Sequence, residues 1–189
     1  MILPCIDIHT HDKSRKDAII NIYPHEQLID GAYHSVGIHP WHTVDIDSST
    51  IEKLSTLAAH PQVVAIGETG LDALKGASIE KQIEIFKLHI SLSEQVKKPL
   101  IIHCVKAFNE IITIKKQLKP SMPWIIHGFR GKPQLAQQLL NNGFYISLGE
   151  KFNSETASII PIDRLLFETD ESTLDINKII DSINNNHIL

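Results

Sequence analysis

The chain has 189 residues, which suits one domain, and 42% of them are hydrophobic, enough to bury a real core. Its formal net charge of −4 argues against a protein that coats nucleic acid through general basicity, although a bound cation can supply positive charge locally. Met1-Ile2-Leu3-Pro4 lacks the basic and long apolar regions of a signal peptide, and no apolar stretch approaches the roughly 20 residues that cross a bilayer, so no membrane partner is expected.

Short β-branched runs recur along the chain at Ile2–Ile8, Ala18–Tyr23, Tyr33–Ile38, Val63–Gly67, Leu100–Ile102, Trp124–Ile126, Phe144–Leu148 and Leu165–Phe167. Helical patterns fall between the later ones. Ser48–Ala59 opens on serines suited to an N-cap and closes before Pro61. Ser78–Lys97 carries Ile79, Ile83, Phe86 and Ile90 at helical spacing. Ala107–Leu118, Pro133–Asn142 and Ile176–Ile183 follow, with Asn142-Gly143 as a helix stop. The two cysteines, Cys5 and Cys104, lie in apolar runs and read as reduced thiols, which suits a cytoplasmic protein. No repeat or linker divides residues 1–189, so a single domain is expected.

Strands alternating with helices predict a parallel α/β fold, and eight strand-like runs predict a closed TIM-barrel-like (β/α) barrel. The N-terminal third fits that pattern poorly, because neither His9–Ala18 nor Pro24–Ala32 leaves room for a helical crossover. A barrel trimmed or irregular in that third is therefore expected, with about seven parallel strands and Ala18–Tyr23 reversed.

Chemistry-bearing residues gather at the ends of these runs. In Asp7-Ile8-His9-Thr10-His11, alternation puts His9 and His11 on one face, as a divalent metal requires; a polar strand end entering a loop is the alternative. Val63–Gly67 runs into Glu68, whose two oxygens can each face one ion, or which can cap the following turn. Pro99–His103 and Pro123–His127 share one pattern: proline, apolar strand, then histidine at the C-terminal end, where barrel active sites lie. Leu165–Phe167 leads into Glu168-Thr169-Asp170, with Asp170 a ligand and proton acceptor and Glu168 its supporting neighbour. One such residue is commonly structural. His9, His11, Glu68, His103, His127 and Asp170 together point to a two-metal hydrolase.

The order HxH, GIHP (37–40), GETGLD (67–72), IIH (101–103), a second strand-end His-Gly-Phe (127–129) and ETD (168–170) resembles the TatD family of metal-dependent deoxyribonucleases. The match runs from Asp7 to about Asp170. The resemblance implies an amidohydrolase-like TIM barrel and two divalent ions, Zn, Mg or Mn. His9, His11 and Asp170 would hold one, His103 and His127 the other, and Glu68 would bridge them. His39 would contact substrate. The chain is shorter than the family's usual length, and it departs from the family's sequence around Lys106, Arg130 and the segment after Asp170.

The reaction implied is two-metal activation of a water that attacks a DNA phosphodiester, at a single strand or an end, with Asp170 and Glu68 as the catalytic carboxylates. Lys106 and Arg130 would hold phosphate oxygens, and Lys151 is a further candidate. Trp41 would either stack a base or pack at the barrel mouth. His25, His34, His42, His60, His89 and His187 read as structural or surface histidines. Two alternatives share the metal core: a hydrolase of a small amide, lactone or ester, and an inactive metal-binding scaffold. The oligomeric state is not legible.

Overall fold

The computed structural model describes residues 3–187, so Met1 and Ile2, at the start of the first predicted strand run, lie outside it, as does the His187 side chain. Eight strands close into a barrel in chain order: β1 Asp7–Thr10, β2 Ala18–Ile22, β3 Tyr33–Val36, β4 Val63–Asp72, β5 Leu100–Val105, β6 Trp124–Ile126, β7 Tyr145–Leu148 and β8 Leu165–Phe167. The helices are α1 Ser48–Ala58, α2 Ile79–Val96, α3 Phe108–Leu118, α4 Pro133–Asn141, α5 Ser154–Ala157 and α6 Ile176–His187, with a 3-10 turn at Pro40–His42. Among the described residues no helix is long and apolar enough to cross a membrane.

Every strand pairs parallel to its neighbours, β2 included, with Asp7 opposite Ala18 and Ile20 opposite His34. The predicted reversal of Ala18–Tyr23 is therefore wrong. The absence of a helix between His9 and Ala18 is right. A parallel return needs reach rather than a helix. At about 3.3 Å per residue, the chain from Thr10 to Ala18 can extend over more than 20 Å, longer than the roughly 13 Å of β1 it must retrace. That loop is pinned rather than helical. Asp12 Oδ1 accepts from the Ser14 backbone N–H at 2.9 Å. Arg15 donates to the carbonyls of Ser172 and Leu174 at 3.1 and 2.7 Å.

The predicted helices form with ends shifted by a few residues. The N-cap of α1 is Asp47, whose carboxylate accepts from Thr50 N–H at 2.8 Å, rather than a serine. Gly143 takes φ 73° just after α4, as a helix stop requires.

Two apolar layers hold the barrel. The larger lies between sheet and helices, around Phe86, Trp124, Phe144 and Ile179. A smaller plug of Ile8, Ile19, Ala65, Ile101 and Ile125 takes one residue from each of five strands. Strand alternation then places the residue two positions onward on the same interior side. Ile19 leads to Asn21, Ile101 to His103 and Ile125 to His127. On β1 and β4 the register shifts between Asp7 and Thr10 and between Ile66 and Thr69, which breaks that parity. Glu68 consequently lies within the ten-residue β4 rather than at its end.

Candidate metal centre

Glu68 is the hub. It is 3% exposed, and five imidazoles surround its carboxylate. Oε1 lies 2.8 Å from His127 Nε2, 2.9 Å from His103 Nδ1 and 3.1 Å from His39 Nε2. Oε2 lies 3.4 Å from His9 Nε2 and 3.3 Å from His11 Nε2. The same two nitrogens are 3.8 and 3.7 Å from Asp170 Oδ1. All six predicted ligands thus converge, and the His103 and His127 rings are 5.8 Å apart between centroids.

The backbone explains the convergence. Asp170 takes φ 53°, and its amide donates to the His9 carbonyl at 2.9 Å while its own carbonyl accepts from His11 N–H at 3.1 Å. The barrel closes there, bringing the last acidic residue onto the HxH segment. Asp7 secures the seam: its carboxylate accepts from Thr169 N–H at 3.0 Å and Thr169 Oγ at 2.7 Å. Burial pushes the Asp7 carboxyl up, against the pull of those bonds.

Electrostatics follow from crowding. Burial opposes charge on Glu68, but the imidazoles of His127, His103 and His11 hold its carboxyl well below the usual carboxylate range. Burial alone would depress His127, yet Glu68 and Glu168 raise it well above an ordinary histidine. Glu168 Oε1 is 3.3 Å from His127 Nδ1 and accepts from Gly128 N–H at 2.6 Å, so it backs His127 rather than Asp170, beside which it was expected to act.

The chain's own geometry fits a divalent cation. His9 is fully buried, and neither of its ring nitrogens has a hydrogen-bond partner among the described residues. An orphaned imidazole beside two carboxylates is costly unless a cation takes its lone pair. Ligand atoms of His9, His11 and Asp170 lie within 4.8 Å of one another; so do those of His9, Glu68 and His127, and those of His39, Glu68 and His103. The first triad is the one the resemblance implied. His103 and His127 fall into separate groups that share Glu68. Mixed nitrogen and oxygen donors suit Zn, Mn or Mg.

The cluster opens into a cavity of about 500 Å³ bordered by Tyr23, Trp41, Lys106, Phe129 and Arg130. Lys106 and Arg130 are exposed on its rim, and Lys151 lines a smaller neighbouring cavity beside Asp170. His39 is 5% exposed, and its Nδ1 accepts from Trp41 N–H at 3.1 Å. Trp41 itself donates from Nε1 to Asp72 at 2.6 Å and carries the Lys75 ammonium 3.9 Å from its ring centroid. The residue remains 43% exposed at the cavity, so its hydrogen bond and cation contact anchor it without deciding between packing and base stacking. Of the remaining histidines, His89 is a buried support whose Nε2 accepts from Ile38 N–H at 2.9 Å, and His34 accepts from Ile29 N–H at 3.1 Å.

Three residues of the site were not singled out in sequence. Asn21 Oδ1 accepts from Glu68 N–H at 2.7 Å, Asp72 faces His103 at 3.3 Å, and Tyr23 lines the cavity. Asp72 lies inside the GETGLD motif, which was its one available signal. Asn21 and Tyr23 carried none.

A sequence model of the family described as "TatD related DNase" matches residues 6–179. A Buchnera aphidicola protein named "Uncharacterized metal-dependent hydrolase" is 40% identical over 74% of this chain and 56% of its own length. The Bacillus subtilis protein YabD, under the same description, is 35% identical over 75% of this chain and 59% of its own. An Erwinia amylovora protein named "3'-5' ssDNA/RNA exonuclease TatD" is 34% identical over 73% and 57%. The chain thus spans a little over half the length of these curated relatives. Two crystal structures share the fold. The Escherichia coli TatD homologue YJJV superposes with a TM-score of 0.73 at 18% identity, covering 97% of each chain. A TatD-family hydrolase from Entamoeba histolytica superposes at 0.72 and 20%, covering 89% of this chain and 74% of its own.

Proposed function

The chain belongs to the TatD-related DNase family, and from that premise we propose that it is a cytoplasmic, divalent-metal-dependent nuclease that hydrolyses DNA phosphodiester bonds at a single strand or an end. The observation that carries the reading is the gathering of five histidines and Asp170 around the buried Glu68 carboxylate, beneath a mouth edged by Arg130 and Lys106. His9, His11 and Asp170 would hold one ion and His103 and His127 a second, with Glu68 available to both. When bound, the two ions supply Lewis acidity that polarises the scissile phosphoryl group and acidifies the attacking water.

The protein's own groups do the rest. Asp170, a quarter exposed at the cavity, takes the proton of that water. His39 accepts a backbone N–H at Nδ1, so its neutral ring carries the proton on Nε2, 3.1 Å from Glu68 Oε1, where it steadies that carboxylate at the wall of the cavity. Burial, opposed by Glu68, keeps His39 below the ordinary histidine value and so favours that neutral form. Arg130 can engage non-bridging phosphate oxygens in a bidentate pair, and Lys106 adds a point charge. A cationic rim favours a phosphodiester over a neutral amide, lactone or ester. The intact ligand set weighs against an idle scaffold.

The test is turnover of end-labelled single-stranded DNA with Mg, Mn or Zn, compared with the Asp170→Asn variant. Cleavage that needs metal and Asp170 supports the reading. Metal-dependent cleavage of amide or ester substrates alone would move it to the small-molecule class, and RNA cleavage would widen the substrate.

A further inference from the structure

We propose that Asp72 and Trp41 are positioning residues that fix the tautomer and orientation of His103, so that its Nδ1 faces Glu68 and is the atom offered to a metal. The inference rests on the metal reading above and extends it to residues outside the six ligands.

Asp72 Oδ2 receives the Trp41 indole N–H at 2.6 Å and lies 3.3 Å from His103 Nε2. Its other oxygen accepts from Leu74 N–H at 2.8 Å. A carboxylate that accepts from an indole and an amide has only acceptor capacity left for the imidazole, so Asp72 favours a neutral His103 with its proton on Nε2. Nδ1 then carries the lone pair, 2.9 Å from Glu68 Oε1. The reverse tautomer would set a lone pair against Asp72; Glu68 Oε1 competes for the same proton at Nδ1, and a cation that took the Nδ1 lone pair would remove that competition and leave Asp72 to hold the proton on Nε2.

Asp72 cannot swing away. Its amide donates to Gln82 Oε1 at 2.7 Å, and Gln82 Nε2 returns to the carbonyls of Asp72, Lys75 and Ala77, each at 2.9 Å. Gln82 is 1% exposed on α2, so a buried helix residue holds both Asp72, at the end of β4, and the loop that follows it. Trp41 supplies the second restraint from the 3-10 turn after β3. Its ring edge meets His39 at 4.8 Å and His103 at 6.0 Å between centroids. The chain Trp41–Asp72–His103–Glu68 thus links the cavity rim to the hub.

The experiment is Zn²⁺ titration by calorimetry of metal-free wild type, Asp72→Asn and Trp41→Phe, with Co²⁺ absorption as a geometric readout. Losing a partner one step behind a metal-bound histidine typically costs about 10–100-fold in affinity. One of two Zn²⁺ equivalents should weaken by that factor in Asp72→Asn, and by less in Trp41→Phe, with the other unchanged and thermal stability in chelator near wild type. Two unaltered affinities in both variants would overturn the proposal. Should a variant fail to fold, ¹⁵N spectra of the histidine rings in Zn²⁺-loaded wild type decide: a proton on His103 Nε2 is expected, and one on Nδ1 overturns it. A wild type that binds no metal would instead defeat the metal reading, and the proposal with it.

Discussion

Asn21 holds Glu68 by its backbone: the Asn21 side-chain oxygen, itself 3% exposed within β2, accepts the Glu68 amide proton at 2.7 Å. The same oxygen accepts from Ser35 Oγ on β3 at 3.1 Å. Glu68 sits where β4 shifts register against β5, so no sheet partner takes that amide. Asn21→Ala would leave it buried and unsatisfied, at a cost of about 1–3 kcal/mol. Urea denaturation in chelator should show that loss, and metal titration should show weaker binding overall. Unchanged values in both would mean that the Asn21 bond does not govern Glu68.

Asp170→Asn keeps the shape and one ligand oxygen but cannot take a proton. DNA cleavage should fall by about 10²–10⁴-fold, while one metal equivalent, on the His103 and His127 side, remains bound. Glu68→Gln should weaken both equivalents, because its two oxygens face the two histidine groups separately. Metal content and kcat measured side by side separate the two roles. Near-normal turnover of Asp170→Asn at full occupancy would remove Asp170 as the base.

Gly37 lets two backbones approach. A Cβ there would lie 2.6 Å from the Glu68 carbonyl oxygen and 2.7 Å from Gly67 Cα, and neither backbone atom can yield cheaply. Gly37→Ala should cost about 1–3 kcal/mol through overpacking and displace both His39 and Glu68. A lowered melting temperature together with reduced metal content is the expected pair of results. Wild-type behaviour in both would show that the approach is not tight.

His89 gives a pH dependence of known sign. It is fully buried, donates from Nδ1 to the Ile85 carbonyl at 2.8 Å and accepts Ile38 N–H at Nε2. Burial lowers its pKa from 6.5 to about 4. The unfolded chain therefore takes up a proton near pH 6.5 that the folded chain refuses. The His89 contribution is complete above pH 6.5, declines as pH falls, and is gone below about 4, a loss of about 3 kcal/mol. Gln in its place can accept the Ile38 amide without titrating. Denaturation between pH 7 and 4.5 should show a shallower decline for His89→Gln than for wild type. Equal slopes would exclude His89 as the source.

What the sequence determined by itself was the candidate ligand set and the strand-and-helix grammar. Both are local. Side-chain alternation along a strand and a polar residue at the end of an apolar run can be read over a few residues, so His9, His11, Glu68, His103, His127 and Asp170 were legible before any contact was known. The tertiary structure decided what depends on neighbours across the barrel. The direction of β2 follows from what its loop can span, and no local pattern encodes that. Asn21 matters because it lies two residues above Ile19 and across from the register shift in β4. His39 comes within 3.1 Å of Glu68 because Gly37 allows its segment to approach. Asp72 and Trp41 meet only when the loop after β4 folds against the turn after β3. Barrel closure and register set these pairings, and both are properties of all eight strands together.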